Sequence, residues 1–393
     1  MRLWHADGTA VHLSYGTNVH PAESLDGVLA QLDRYAEPVR RQLGWDRLGL
    51  GLWLAADVAA GLASDARSLQ RLRAELDARG LEVVTLNAFP YQGFHDAVVK
   101  HAVYHPTWAD APRARYTLDC ARVLAALLPD DADGGSISTL PLGWRQPWSQ
   151  DDDELAMAAF AVVTAGLRAL PRPIRLAVEP EPGCVLDDVA DAVRWLSRRV
   201  DPAHVGVCLD TCHLAVSFAD PVSTVASVLA AGLAIPKVQA SAALQADSPR
   251  EARDALAEFV EPRYLHQVRA ATGHPPAAAD DLPEALDNLP DGNRWRVHFH
   301  VPLHARPAAP LTSTTDVLAA ALKALYGGAR ALSPHVEVET YTWGVLPPDA
   351  RPADDAGLVA GITAELRYAH HVLVQSGLSQ RERVGVLAGA LGD

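Results

Sequence analysis

The stretch His335-Val336-Glu337-Val338-Glu339-Thr340-Tyr341-Thr342-Trp343 alternates apolar and acidic residues at its start. In an extended chain successive side chains point to opposite faces, so Val336 and Val338 share one face, and His335, Glu337 and Glu339 share the other. This is the pattern of a strand that packs on a core with one face and lines a polar site with the other. Three earlier stretches share the design. Arg175-Leu176-Ala177-Val178-Glu179 and Gly206-Val207-Cys208-Leu209-Asp210 each end in an acid, and Pro236-Lys237-Val238-Gln239 ends in an amide. If the four ends converge, they form a pocket for a metal ion and a polar substrate.

Working outward, apolar stretches at 12–17, 48–54, 82–86, 136–140, 175–179, 205–210, 235–239 and 335–340 predict eight strands. Between them, helical spacing predicts helices over 24–43, 57–79, 113–128, 151–170, 186–199, 221–231 and 314–326, with Ser24 as an N-cap and Gly80 as a C-terminal stop. Strand then helix, repeated eight times, is the pattern of an α/β (β/α)8 TIM barrel. A doubly wound open sheet competes, but no Gly-x-Gly-x-x-Gly follows the first strand. The Ala-, Pro- and Asp-rich insertion over about 242–302 reads as helix plus loop. Its apolar end, 296–302, is a ninth strand candidate and is assigned to the loop after strand seven. A helical tail, with a helix over 355–375, follows over about 352–393, and the whole of 1–393 reads as one domain.

The chain of 393 residues carries a net charge of −14, which disfavours nucleic acid as a partner, because phosphate contacts depend on basic side chains. The start lacks a signal-like apolar core, and the longest apolar run is too short to span a bilayer, so membrane insertion is not expected. Four cysteines, none in a Cys-x-x-Cys pair, suit a reducing, cytoplasmic setting; Cys208 and Cys212 read as small buried groups.

Alternation places Glu179, Asp210, Gln239 and Glu339 on the lumen side at the carboxyl ends of four strands, where active sites of such barrels sit. An oxygen-rich set with some imidazole suits Mn, Mg, Co or Zn. A divalent ion there polarises a carbonyl or hydroxyl, and two flanking carboxylates can then move a proton between adjacent carbons. His298 and His300 share parity and either face the site or form a structural pair. Trp53, Phe89, Tyr91, Phe94, Trp144 and Trp343 sit near strand ends, as pocket walls or as ordinary core.

The runs Val178-Glu179-Pro180-Glu181-Pro182-Gly183, Leu209-Asp210-Thr211-Cys212-His213, Lys237-Val238-Gln239 and Glu337-Val338-Glu339-Thr340 resemble the xylose-isomerase-like barrel superfamily. Residues 13–21, 89–95 and 296–304 are similar to the EboE-type metabolite traffic proteins. The superfamily resemblance implies a metal set of Glu179, Asp210, Gln239 and Glu339, with Gln239 standing where the family has His. It implies His298 or His300 as the replacement imidazole, and His213 as a contact to substrate or to a second ion. Glu179, Glu339 and His213 are then the catalytic candidates, and His20, Glu181, His95 and Trp144 the substrate contacts. The implied function is isomerisation, epimerisation or dehydration of a sugar or cyclitol-like metabolite in a secondary-metabolite pathway. A non-catalytic carrier on a degenerate site and an endonuclease IV-like phosphoesterase are the alternatives. A homo-oligomer stays open.

Overall fold

The computed structural model describes residues 1–380. Eight parallel strands close into a barrel: β1 (Ala10–Gly16), β2 (Leu48–Trp53), β3 (Leu81–Asn87), β4 (Gly135–Thr139), β5 (Ile174–Val178), β6 (Val205–Asp210), β7 (Lys237–Ala240) and β8 (His335–Val338). Neighbours in sequence are neighbours in space, and β1 closes the ring by pairing with both β8 and β2. A short strand, Arg2–Trp4, adds antiparallel to β1. The fold is the TIM barrel that the strand–helix alternation predicts.

Parity decides what each strand faces. In β2, Leu48, Leu50 and Leu52 are fully buried toward the helices, while Gly49 and Gly51 face the lumen. The glycines make room for a charge. A Cβ on Gly51 would lie 1.4 Å from Oε2 of Glu337, which enters from β8. Glu337 pairs with Lys237 at 3.1 Å, and neither side chain is exposed. Lys237 crosses the lumen, donating to the carbonyl of Leu86 and the hydroxyl of Ser138, both at 3.2 Å. The lumen floor is thus a buried ion pair rather than layers of aliphatic side chains.

The helices differ from expectation in three places. The span 57–79 is two helices, Ala56–Ser64 and Ala66–Ala78, because Asp65 accepts from the amides of Arg67 and Ser68 and starts a new helix. The span 186–199 contains only Val189–Leu196, capped by Asp188. The span 24–43 begins at the Ser24 cap but carries a π turn over Leu32–Ala36 just before Pro38, which cannot donate a backbone hydrogen bond. The tail helix is Asp355–Gln375, as its spacing predicts; residues 381–393 of the expected extension lie outside the described residues. Among the described residues no helix is long and apolar enough to cross a membrane.

The insertion departs most. It holds two short helices, Arg253–Ala257 and Leu282–Asn288, but it also supplies four strands of a second, five-stranded antiparallel sheet, in the order Ala277–Ala279, Val268–Ala270, Trp295–His300, Ala243–Ala246, with Leu311–Ser313 completing the edge. Its short alanine-rich strands carry little of the alternation that marks a strand. Trp295–His300 lies outside the barrel, as assigned, but it is the middle strand of this sheet. A bulge opens its register between Val297 and His300, which aims His298 and His300 together at the barrel mouth while Phe299 packs on Phe259.

Removing one partner of a buried ion pair leaves the other uncompensated. Lys237→Met is expected to cost about 3 kcal/mol in urea unfolding, and the double variant with Glu337→Leu to recover most of that loss.

Candidate active site

The strand ends converge. Oxygens of Glu179, Asp210 and Glu339 lie within 4.8 Å of one another, all three residues buried. Asp210 ends β6 and caps a six-residue helix, Thr211–Val216, that the sequence analysis does not contain. Its Oδ1 accepts from the amide of His213 at 2.8 Å and from the Ser241 hydroxyl at 2.9 Å, leaving Oδ2 buried and unpartnered. That cap explains the Asp-x-x-His spacing, because one helical turn returns His213 to the same mouth. Glu179 also keeps a buried, unpartnered oxygen, Oε2.

Glu339 is held from two sides. Its Oε1 accepts from Nδ2 of Asn18 at 2.9 Å and from Nδ2 of Asn87 at 2.8 Å. The sequence analysis assigns no role to either asparagine. The available signal was position: Asn87 is the last residue of β3, and Asn18 follows β1 by two residues.

The imidazoles are oriented by carbonyl oxygens. His300 donates through Nδ1 to the Glu339 carbonyl at 2.7 Å, and its Nε2 is buried without a partner. His213 donates through Nδ1 to the Pro180 carbonyl at 2.8 Å, and His298 through Nδ1 to Oε1 of Gln267 at 2.6 Å. This network assigns both remaining nitrogens as lone pairs, yet Nε2 of His213 and Nε2 of His298 stand 3.0 Å apart. Two facing lone pairs repel, so the pair calls for a shared proton or a cation. His213, Glu181 and His298 form one three-donor group, and Asp210, His213 and His300 another.

The remaining candidates divide. Glu181 lines the cavity and accepts from the Tyr104 hydroxyl at 2.9 Å. Gln239 lies level with Asp210 and Glu337 in the sheet; it is fully buried, with both amide atoms unpartnered, and it is not among the residues lining the cavity. His20, His95 and Trp144 do not line it either. His20 stacks on Tyr35 at 4.1 Å and is a buried core group. His95 donates to the Asn18 carbonyl at 2.8 Å and so steadies the segment that holds Glu339. Trp144 sits behind Tyr104. Of the six flagged aromatics, Phe89 and Phe94 are pocket walls, while Trp53, Tyr91, Trp144 and Trp343 are not.

Burial governs the protonation of this site. Desolvation, then the neighbouring Asp210, pushes the Glu179 carboxyl up to about 7. Desolvation pushes Glu181 up to about 7 and, with Glu179 and Asp210, holds Glu339 well above the carboxylate range. Desolvation pulls His300 down to about 4, which keeps its ring neutral. For His213 desolvation acts downward too, but Asp210, Glu181 and Glu179 outweigh it and raise the imidazole. The unpartnered carboxylate oxygens and the neutral His300 Nε2 fit a divalent ion, whose charge would replace the protons that these groups otherwise hold.

The Xylose isomerase-like TIM barrel family matches residues 41–287, more than half of the chain. No curated protein matches. Among solved structures, an L-ribulose 3-epimerase is similar at 13% identity, covering 93% of this chain and 95% of that one with a TM-score of 0.51. A D-psicose 3-epimerase from Clostridium cellulolyticum H10, solved with D-tagatose, is similar at 14% identity, covering 92% and 99% with a TM-score of 0.52. A xylose isomerase-like TIM barrel protein from Mycobacterium smegmatis, in complex with magnesium, is similar at 14% identity, covering 94% and 99% with a TM-score of 0.50.

Two outcomes follow from this geometry. Between the ordinary Glu value of 4.5 and about 7, the folded metal-free protein holds a proton on Glu179 that the unfolded chain has released. The stability from this group is therefore full below 4.5 and lost as pH rises to about 7. Urea midpoints of the metal-free protein should fall across that window, and Glu179→Gln should flatten the fall by at least about 1 kcal/mol. Separately, Asn87→Ala should weaken divalent-ion binding about 10- to 100-fold in calorimetry, because Glu339 loses an orienting donor. The strand-order reading of the chain, the barrel it forms and the family match agree: this chain belongs to the Xylose isomerase-like TIM barrel family.

Proposed function

We propose that this protein is a divalent-metal-dependent isomerase or epimerase, or a related dehydratase, acting on a sugar or cyclitol-like metabolite. The observation that carries the reading is the buried trio Glu179, Asp210 and Glu339, with unpartnered oxygens on Glu179 and Asp210 and an unpartnered His300 nitrogen beside them. Glu179, Asp210 and Glu339 would hold the ion, with His300 as the imidazole ligand and Gln239, whose amide atoms are unpartnered, as a further oxygen donor. When bound, the ion polarises a substrate carbonyl oxygen and makes the adjacent C–H more acidic. Glu179 and Glu339 then take and return the proton, one on each side of the reacting carbon. His213 orients the substrate oxygen and Glu181 contacts a hydroxyl.

The sugar 3-epimerases among the similar structures support the reaction class, and the magnesium complex supports the cofactor. The EboE-type runs extend the reading to a cytoplasmic pathway for a small secondary metabolite. A second reading, hydrolysis of a small phosphoester, draws on the extra His-containing groups around His213, which would hold further ions. Against it, the one ammonium in the cavity lining, Lys100, is taken by Asp281 at 2.6 Å and the Tyr264 carbonyl at 2.7 Å.

Elemental analysis beside a turnover screen tests these readings. About one divalent ion per chain, lost in Glu339→Gln together with about 100-fold or more of the polyol turnover, is the expected result. Two or three ions per chain with phosphodiester cleavage dependent on His298 would favour the second reading. Metabolite binding with no conversion would leave a carrier.

A further inference from the structure

We infer that the substrate of this site is a neutral α-hydroxy ketone with an apolar, ring-bearing body, rather than a free sugar with a hydroxyl on every carbon; this rests on the proton-transfer reading above. The cavity, about 520 Å³ including its open mouth, is lined by two unlike sets of residues, called its polar and apolar halves. One half holds Glu179, Glu339, His213 and His300, and suits a compact head of two adjacent oxygens. The other is walled by Phe89, Phe94, Val99, Val103 and Leu265. The apolar half is built by the loop after β3 and by the insertion, outside the eight barrel strands.

Polar groups among these walls are already engaged. Nδ2 of both Asn18 and Asn87 gives one of its two N–H groups to Glu339, and Oδ1 of Asn87 accepts from the Phe89 amide. The Tyr104 hydroxyl donates to Glu181 and accepts from Gln267. The Tyr264 hydroxyl donates to the Phe94 carbonyl at 3.2 Å. Lys100, the cavity-lining ammonium, is occupied by Asp281 and the Tyr264 carbonyl. Among the described residues the Tyr341 hydroxyl has no hydrogen-bond partner, which leaves the ligand body room for one polar atom.

A free ketose would turn several hydroxyls toward Phe89, Phe94, Val99 and Val103. Each hydroxyl taken from water without a partner weakens binding by about ten-fold or more. Aromatic faces can stack on the C–H face of a sugar, but Val99, Val103 and Leu265 offer no ring face. An aryl or cycloalkyl body gains from the same walls by leaving water.

The test titrates the Mn-loaded full chain with 2-hydroxyacetophenone and with D-fructose by calorimetry. The aryl ketone is expected to bind about ten-fold tighter or better. Phe94→Asn with Val103→Asn should narrow or reverse that ratio. Equal or tighter binding of D-fructose by the wild type, or no saturable binding of the aryl ketone, overturns the inference. The underlying reading is scored separately by NMR in D₂O, as exchange of the hydrogens next to the carbonyl. A tightly bound aryl ketone with no exchange in either compound sinks the proton-transfer reading while the selectivity stands. Exchange in D-fructose with no preference for the aryl ketone keeps that reading and removes this inference.

Discussion

Three buried carboxylates brought within 4.8 Å of each other are the constraint on which this molecule turns. Like charges so placed cannot all be ionised unless something positive joins them. The nearby fixed cation, Lys237, is paired with Glu337 one layer down the lumen. Neutral donors, Asn18, Asn87 and Ser241, orient the acids without cancelling their charge. What remains is a choice between protons and a divalent ion, and that choice links folding stability, metal affinity and acid–base chemistry in one site.

The barrel makes this arrangement tolerable by stiffness. Its strands hold the acids at their carboxyl ends, and Gly51 opens the lumen so that Glu337 of the lower ion pair can be accommodated. The site is finished by parts outside the eight strands. The bulged strand Trp295–His300 brings two imidazoles over the mouth, and Gln267, just before the neighbouring strand Val268–Ala270, fixes the tautomer of one of them. The insertion is therefore part of the pocket wall. The loop before its strand Val268–Ala270 also supplies Tyr264 and Leu265, so the insertion contributes both polar and apolar residues to the cavity.

Much of this was legible in the chain because period-two alternation is a local property. The lumen-facing parity of Glu179, Asp210, Glu337 and Glu339 could be read directly, and so could the barrel count, since each strand is followed by its own helix. The Ser24 cap and the helix Asp355–Gln375 are set by neighbouring residues and stand as the spacing predicts. The helix break at Asp65 and the short helix started by Asp210 are also local, but they depend on one side chain competing for backbone amides, which apolar spacing does not report.

Only the tertiary structure decided the rest. Asn18 and Asn87 lie far from Glu339 in sequence, and their pairing with it depends on how β1, β3 and β8 close the ring. His20, His95 and Trp144 look like pocket residues by position, yet none lines the cavity: His20 is buried against Tyr35, and His95 and Trp144 are half-buried beside Asn18 and Tyr104, because side-chain direction in a loop has no period to follow. The five-stranded sheet of the insertion was illegible because four of its strands are only three or four residues long, too short for an alternation of their own, so their partners make them strands. The sequence by itself determined which residues face the lumen, since alternation is built into the backbone; which of them meet was left to the closure of the barrel, a long-range event that no local pattern encodes.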